Sequence, residues 1–119
     1  MKSTLVIGAS QNTDRYSNKA IRMLLSFDHK VFAYGKMKGE VYGLPIVTEW
    51  NKNWLPHTIT LYINPTLQPK LYNQIIAIRP KRVVFNPGTE NKEFEVLLTK
   101  NGIEVSIACT LVLLSTGQY

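Results

Sequence analysis

Apolar residues along the chain fall into short runs of two kinds, continuous and helically spaced. Thr4-Leu5-Val6-Ile7 is aliphatic without polar alternation, the pattern of a strand covered on both faces in a parallel sheet, and it stops at Gly8. After a polar loop, Ile21, Leu24 and Leu25 recur at helical spacing, which predicts a helix over 18–27 whose first turn Ser17 or Asn18 can cap. Strands are predicted at Val31–Tyr34 and Ile59–Ile63, the latter closed by Asn64-Pro65, with an irregular segment between the two. Leu71, Ile75 and Ile78 mark one face of a helix over 66–78, in which Pro69 is tolerable only near the first turn. Arg82–Phe85 reads as a fourth strand. Phe94, Leu97 and Leu98 form the inward face of a helix over 90–101 ended by Gly102, and Ile103–Ile107 reads as a fifth strand.

This order predicts one domain over 1–119, a three-layer α/β architecture with a mostly parallel five-stranded sheet. Ligands of such sheets bind outside the carboxyl ends of the strands. The loops to inspect are therefore Gly8 to Ser17, Gly35 to Gly39, Asn64-Pro65 and Asn86 to Thr89.

The first of these loops suits a phosphate. Gly8 makes the turn, Ala9 and Ser10 follow, and free backbone N–H groups at a helix N-terminus attract an anion to which Ser10, Asn12, Arg15 and Ser17 add side-chain donors. A dinucleotide fingerprint would place glycine at three positions, and here Ser10 and Thr13 occupy the second and third. An ordinary strand-to-helix turn is the plainer reading. The second loop discriminates between cofactors, because NAD binding wants an acid at the end of the second strand. Asp28 has the spacing but precedes that strand, whereas Gly35-Lys36-Met37-Lys38 carries no carboxylate. A lysine there favours a phosphate on the adenosine ribose, as in coenzyme A or NADP, against the plainer reading of a solvated loop.

Composition narrows the partners. The 119 residues are 45% hydrophobic and 18% charged, enough for a core and too apolar for a disordered chain. Fourteen Lys and Arg against eight Asp and Glu give a net charge of +6, which favours an anionic partner. Nucleic acid is disfavoured: the densest basic group, Arg79-Pro80-Lys81-Arg82, precedes the fourth strand at the amino end and reads as a solvated turn with no recognition motif beside it. The apolar stretches Leu5–Ala9 and Ile107–Leu114 are too short for a signal-peptide core and for the roughly 20 residues of a membrane span. A single cysteine, Cys109, allows no internal disulfide, no Cys/His spacing suggests a metal, and a cytoplasmic protein is expected.

Catalytic candidates are few. Asp14 and Glu90 lie near helix starts, where they favour the dipole. His29 and His57 flank the amino ends of strands, on the wrong side of the sheet. Cys109, among Ile107, Ala108, Leu111 and Val112, reads as a buried structural thiol, and Trp50 and Trp54 as a cover for the sheet edge. A binding protein is the favoured class. An NADP-linked oxidoreductase is the competing one, and Tyr16 is its only proton donor in the first loop.

Taken together, the loop motifs resemble the family of small stand-alone CoA-binding domain proteins, which is similar to the Rossmann-like nucleotide-binding domain of succinyl-CoA synthetase. Gly8-Ala9-Ser10 and Arg15-Tyr16-Ser17 match its first motif. Tyr34-Gly35-Lys36 keeps the lysine of its Asn-Pro-Lys, Gly43-Leu44-Pro45-Ile46 agrees in part, Asn86-Pro87-Gly88 with Asn91 matches its Gln-x-Gly region, and its cysteine falls on Cys109. Where the family has arginine Ile63 stands, with Pro65 kept, and Ile107-Ala108 replaces its Asp-Arg pair. The resemblance implies coenzyme A or an acyl-CoA as ligand, held by Gly8, Ala9, Ser10, Asn12, Arg15, Ser17, Gly35, Lys36, Asn64, Pro65, Asn86 and Gly88, with no catalytic residue of its own and with a second copy or a partner enzyme to work with.

Overall fold

A computed structural model describes residues 1–119 as one sheet of seven strands with helices on both faces. In chain order the elements are β1 (Thr4–Ile7), α1 (Tyr16–Ser26), β2 (Val31–Tyr34), β3 (Gly39–Val41), β4 (Leu44–Val47), β5 (Thr58–Leu61), α2 (Tyr72–Ala77), β6 (Arg82–Phe85), α3 (Lys92–Lys100), β7 (Glu104–Ile107) and α4 (Thr110–Ser115). The strands lie in the order β3-β4-β2-β1-β5-β6-β7, all neighbours parallel except β3 with β4. The expected three-layer, mostly parallel α/β architecture is present, with seven strands where five were expected.

The two extra strands lie in the segment expected to be irregular. Tyr42 and Gly43 carry φ angles of 49° and 80°, the two positive values of a tight two-residue hairpin turn, and they join β3 to β4. Pro45 sits in β4 opposite Glu40, whose own N–H points away from the pair to the side chain of Gln11, so the missing proline N–H costs no bond there. Elsewhere, the helix expected over 66–78 is two 3-10 turns, Pro65–Leu67 and Pro69–Leu71, followed by the short α2, because Pro69 has no N–H with which to continue a helix. The apolar run near the end of the chain divides between β7 and α4.

Two cores sandwich the sheet. Alternation along β1 sends Leu5 and Ile7 to one face, where they meet Ile59, Leu61, Val83 and Phe85 under Ile75 of α2 and Phe94 and Leu98 of α3. Val6 points to the other face, with Ala33 and Ile46 under Ile21 and Leu24 of α1 and Leu114 of α4. No helix covers β2 on the first face. Trp54 is buried there against Phe32 and Tyr34, and Trp50 meets Tyr34 and Trp54 edge-on at 5.3 and 5.2 Å, so the tryptophans roof a face of the sheet rather than its edge.

At the amino ends of the strands, Arg82 departs from its expected place in a solvated turn. It is buried, its Nε donates to Thr58 Oγ1 at 3.2 Å, another guanidinium N–H donates to the main-chain oxygen of Tyr119 at 3.1 Å, and its guanidinium lies over the Tyr119 ring. Lys2 donates to the same oxygen, and its backbone N–H donates to His29 Nδ1 at 2.9 Å. Burial first, and then the cations around them, hold His29 and His57 below the ordinary 6.5. The folded protein therefore binds fewer protons than the unfolded chain, and the contribution is intact above 6.5 and lost as pH falls below it. Melting temperature is expected to fall between about pH 7 and 5.5, and the slope to flatten in a His29→Gln/His57→Gln variant; an unchanged slope would contradict the assignment.

Candidate functional site

The chain runs outward from β1 through β2 to β4 and β3, then crosses back to β5 on the other side of β1. The strand order thus reverses between β1 and β5, and a crevice above their carboxyl ends is the place for a ligand. Gly8 stands on that reversal. Its φ is +94°, and a Cβ there would lie 2.8 Å from the Tyr62 main-chain oxygen, so the turn needs glycine for both its conformation and the approach of β5. Beyond it, the N–H groups of Gly8 and Ala9 both donate to Tyr34 O, at 2.9 and 3.0 Å, which lays the loop across the end of β2. Gly35 is buried beneath this crossing, where a Cβ would collide with the Ala9 main-chain oxygen.

The first two amides expected to face an anion are therefore used within the sheet. The donors begin at Ser10. Asn12 N–H bonds to Ser10 Oγ at 3.1 Å, Asp14 N–H to Asn12 Oδ1 at 2.9 Å, and Arg15 N–H to Asn12 O at 3.1 Å. These bonds leave the N–H groups of Ser10, Gln11, Thr13, Tyr16 and Ser17 without an acceptor in the chain. Arg15 is the extended residue before α1, no side chain caps the helix, and its first turn holds no acid. Ser17 and Asn18, expected as caps, lie buried inside that turn. A helix start without cap or acid, fronted by free amides and the exposed Arg15, attracts an anion.

The other expected residues divide by what their polar atoms already do. Lys36 is exposed in the loop after β2, and Gly35 N–H is bonded to Val47 O. Asn64 Oδ1 accepts from the N–H and hydroxyl of Thr66, both at 3.0 Å, and Pro65 begins the following 3-10 turn. Asn86 is 1% exposed and wholly occupied: it donates to Thr60 Oγ1 and Leu61 O and accepts from Thr110 N–H, which ties β5, β6 and α4 together. Gly88 N–H donates to Glu90 Oε1 at 2.8 Å, and the cap of α3 is Asn91, which accepts from Phe94 N–H, rather than Glu90. Cys109 is half-buried just before α4, more open than its apolar neighbours implied.

Gln68, which sequence reasoning missed, and Asn18, expected there only as a cap, tie the strand-end loops together. Gln68 is fully buried, donating to Ile63 O and Thr89 O and accepting from Asn91, and so joins the loops after β5 and β6. Asn18 braces the first loop through Ser10 O. Nothing in local sequence distinguishes a buried tie of this kind from a surface amide. The Tyr62 hydroxyl is buried close to Thr60 and Thr110 with no hydrogen-bond partner, and burial pushes its pKa up to about 12. A hollow of about 500 Å3 lies on the outer side of α3 between Tyr72, Val96 and Leu97, but its acid, Glu93, is committed to the Tyr72 hydroxyl, and it offers no strand-end amides.

A family described as CoA binding domain matches residues 2–115. The chain belongs to the CoA-binding domain family. A solved structure of an uncharacterized protein is similar to this family member at 49% identity and a TM-score of 0.97, over 100% of this chain and 98% of that one. A conserved hypothetical protein from Pyrococcus furiosus is 26% identical with a TM-score of 0.75, over 89% and 92% of the two chains. The Thermus thermophilus structure called cell-free ID.343, 21% identical over 99% and 90%, shares the fold at a TM-score of 0.85. No match was found among curated proteins. No helix of this CoA-binding domain protein is long and apolar enough to cross a membrane.

The Gly8 geometry has a measurable consequence. Gly8→Ala adds steric overlap with Tyr62 to the left-handed strain and should cost about 3 kcal/mol or more, whereas Gly88→Ala, at φ +91° with open space around it, should cost roughly 1 kcal/mol. Equal costs in urea denaturation would contradict the tight crossing.

Proposed function

We propose that this one-domain chain binds coenzyme A or an acyl-CoA, seats its pyrophosphate on the amides from Ser10 to Ser17, and meets the 3′-phosphate of the adenosine with Arg15 and Lys36. The observation that carries this reading is the row of five unpartnered N–H groups beside the strand-order reversal in a member of the CoA-binding domain family. Lys36 at the end of β2, where an NAD-binding protein wants an acid, favours a ribose phosphate. Asn64, Pro65 and Gly88 would border the ligand. Asn86 supports it from below, since its amide is already spent on Thr60, Leu61 and Thr110.

The protein itself carries out no chemistry in this reading. The crevice loops offer Asp14 and Glu90 as carboxylates, and Glu90 is bound to Gly88 N–H. The chain holds a CoA derivative in the cytoplasm, where a lone thiol stays reduced, for a second copy or a partner enzyme. The excess of basic over acidic residues brings an anionic cofactor in without making nucleic acid a partner.

Thermal-shift titration with CoA, acetyl-CoA, NADP and NAD tests the reading. CoA at about 100 times its dissociation constant should add roughly 2.7 kcal/mol to stability, NAD much less at equal concentration. No shift with CoA, or an equal one with NAD, would remove it. Lys36→Glu should weaken CoA roughly tenfold, and unchanged affinity would remove that lysine from the site.

A further inference from the structure

We infer that Asn18 and Arg22 are positioning residues that aim the Gln11 N–H at the bound diphosphate; the inference rests on the CoA reading above. Asn18 lies on α1, only 2% exposed, beneath the loop that follows β1. Its Nδ2 donates to Ser10 O at 3.0 Å, and its Oδ1 accepts from Arg22 Nε at 2.8 Å. A second guanidinium N–H of Arg22 reaches Thr13 O at 3.4 Å. The two partners fix the amide's orientation, since a flipped Asn18 would set NH2 against a guanidinium and oxygen against a carbonyl.

The aiming follows from peptide geometry. In a trans peptide the C=O of one residue and the N–H of the next point in opposite directions, and the chain has no cis bonds. Drawing Ser10 C=O inward to Asn18 therefore turns Gln11 N–H outward, and that N–H is one of the five donors with no partner in the chain. Arg22 holds the far side of the same loop through Thr13 O and keeps Asn18 in register. A helix start alone supplies the Tyr16 and Ser17 amides; the Gln11 amide is turned away from Asn18 because that buried side chain holds the peptide before it.

Asn18→Leu keeps the branched shape of the side chain and removes both bonds. It is expected to remain folded by urea denaturation and to bind CoA at least tenfold more weakly in calorimetry. In ¹H–¹⁵N spectra the CoA-induced shift of the Gln11 amide should be lost while those of Tyr16 and Ser17 remain. A role confined to stability would lower the urea midpoint and leave affinity and the Gln11 response intact, which would overturn the inference. Arg22→Met keeps the aliphatic stem of a half-exposed residue, should weaken CoA several-fold, and decides the matter if Asn18→Leu does not fold; unchanged affinity would again overturn it. Wild-type protein that binds CoA while both variants match it removes this inference alone, whereas wild-type protein that binds no CoA removes the CoA reading and this inference with it.

Discussion

The crossing of the first loop over the end of β2 is the contact on which the rest of the crevice depends. Two N–H groups, from Gly8 and Ala9, converge on one carbonyl, Tyr34 O, and the backbone comes so close to Gly35 that no Cβ fits beneath it. From that fixed crossing the chain has seven residues, 9–15, to reach α1, and it folds them on Ser10, Asn12 and Asn18. Backbone groups are obligatory hydrogen-bonding groups, so the amides left over after this folding are free to meet an acceptor from outside the chain. The same crossing sets β1 beside β5, because Gly8 admits Tyr62 O at its side.

Beneath the crevice the floor is built from polar ties rather than from apolar packing alone. Asn86, Thr60 and Thr110 form a closed set with the Thr60 and Thr110 hydroxyls 2.8 Å apart, and Gln68 links the loops after β5 and β6 through three bonds. Buried polar groups satisfied in this way hold strand ends at fixed spacing, which apolar side chains, free to slide, do less well. The Tyr62 hydroxyl, buried beside these ties, has no partner, and neither does one guanidinium nitrogen of Arg82 at the opposite end of the strands.

How much was legible in the sequence follows from which forces act locally. The strands β1, β2 and β6 could be read from short apolar runs, which reflect burial on both faces in β1 and β6 and the alternate burial of Val31 and Ala33 in β2, and α1 and α3 from their apolar spacing. The hairpin β3–β4 could not, since two glycines and Pro45 are loop signals that tertiary pairing overrides. The apolar spacing over 66–78 reads as one helix because it survives the two prolines, Pro65 and Pro69, that break the segment into turns. At the candidate site, Gly8, Ser10, Arg15 and Lys36 announced themselves by residue type at strand ends. Asn18, Gln68 and the internal role of Asn86 did not, because a buried amide takes its meaning from partners far along the chain.

The central claim is that the CoA diphosphate rests on the amides between Ser10 and Ser17. A crystal structure of the protein with CoA tests it most directly: diphosphate oxygens should lie about 3 Å from several of the N–H groups of Ser10, Gln11, Thr13, Tyr16 and Ser17, with the ribose phosphate toward Lys36. CoA seated instead against α3, between Tyr72 and Val96, or a diphosphate touching none of those amides, would contradict it.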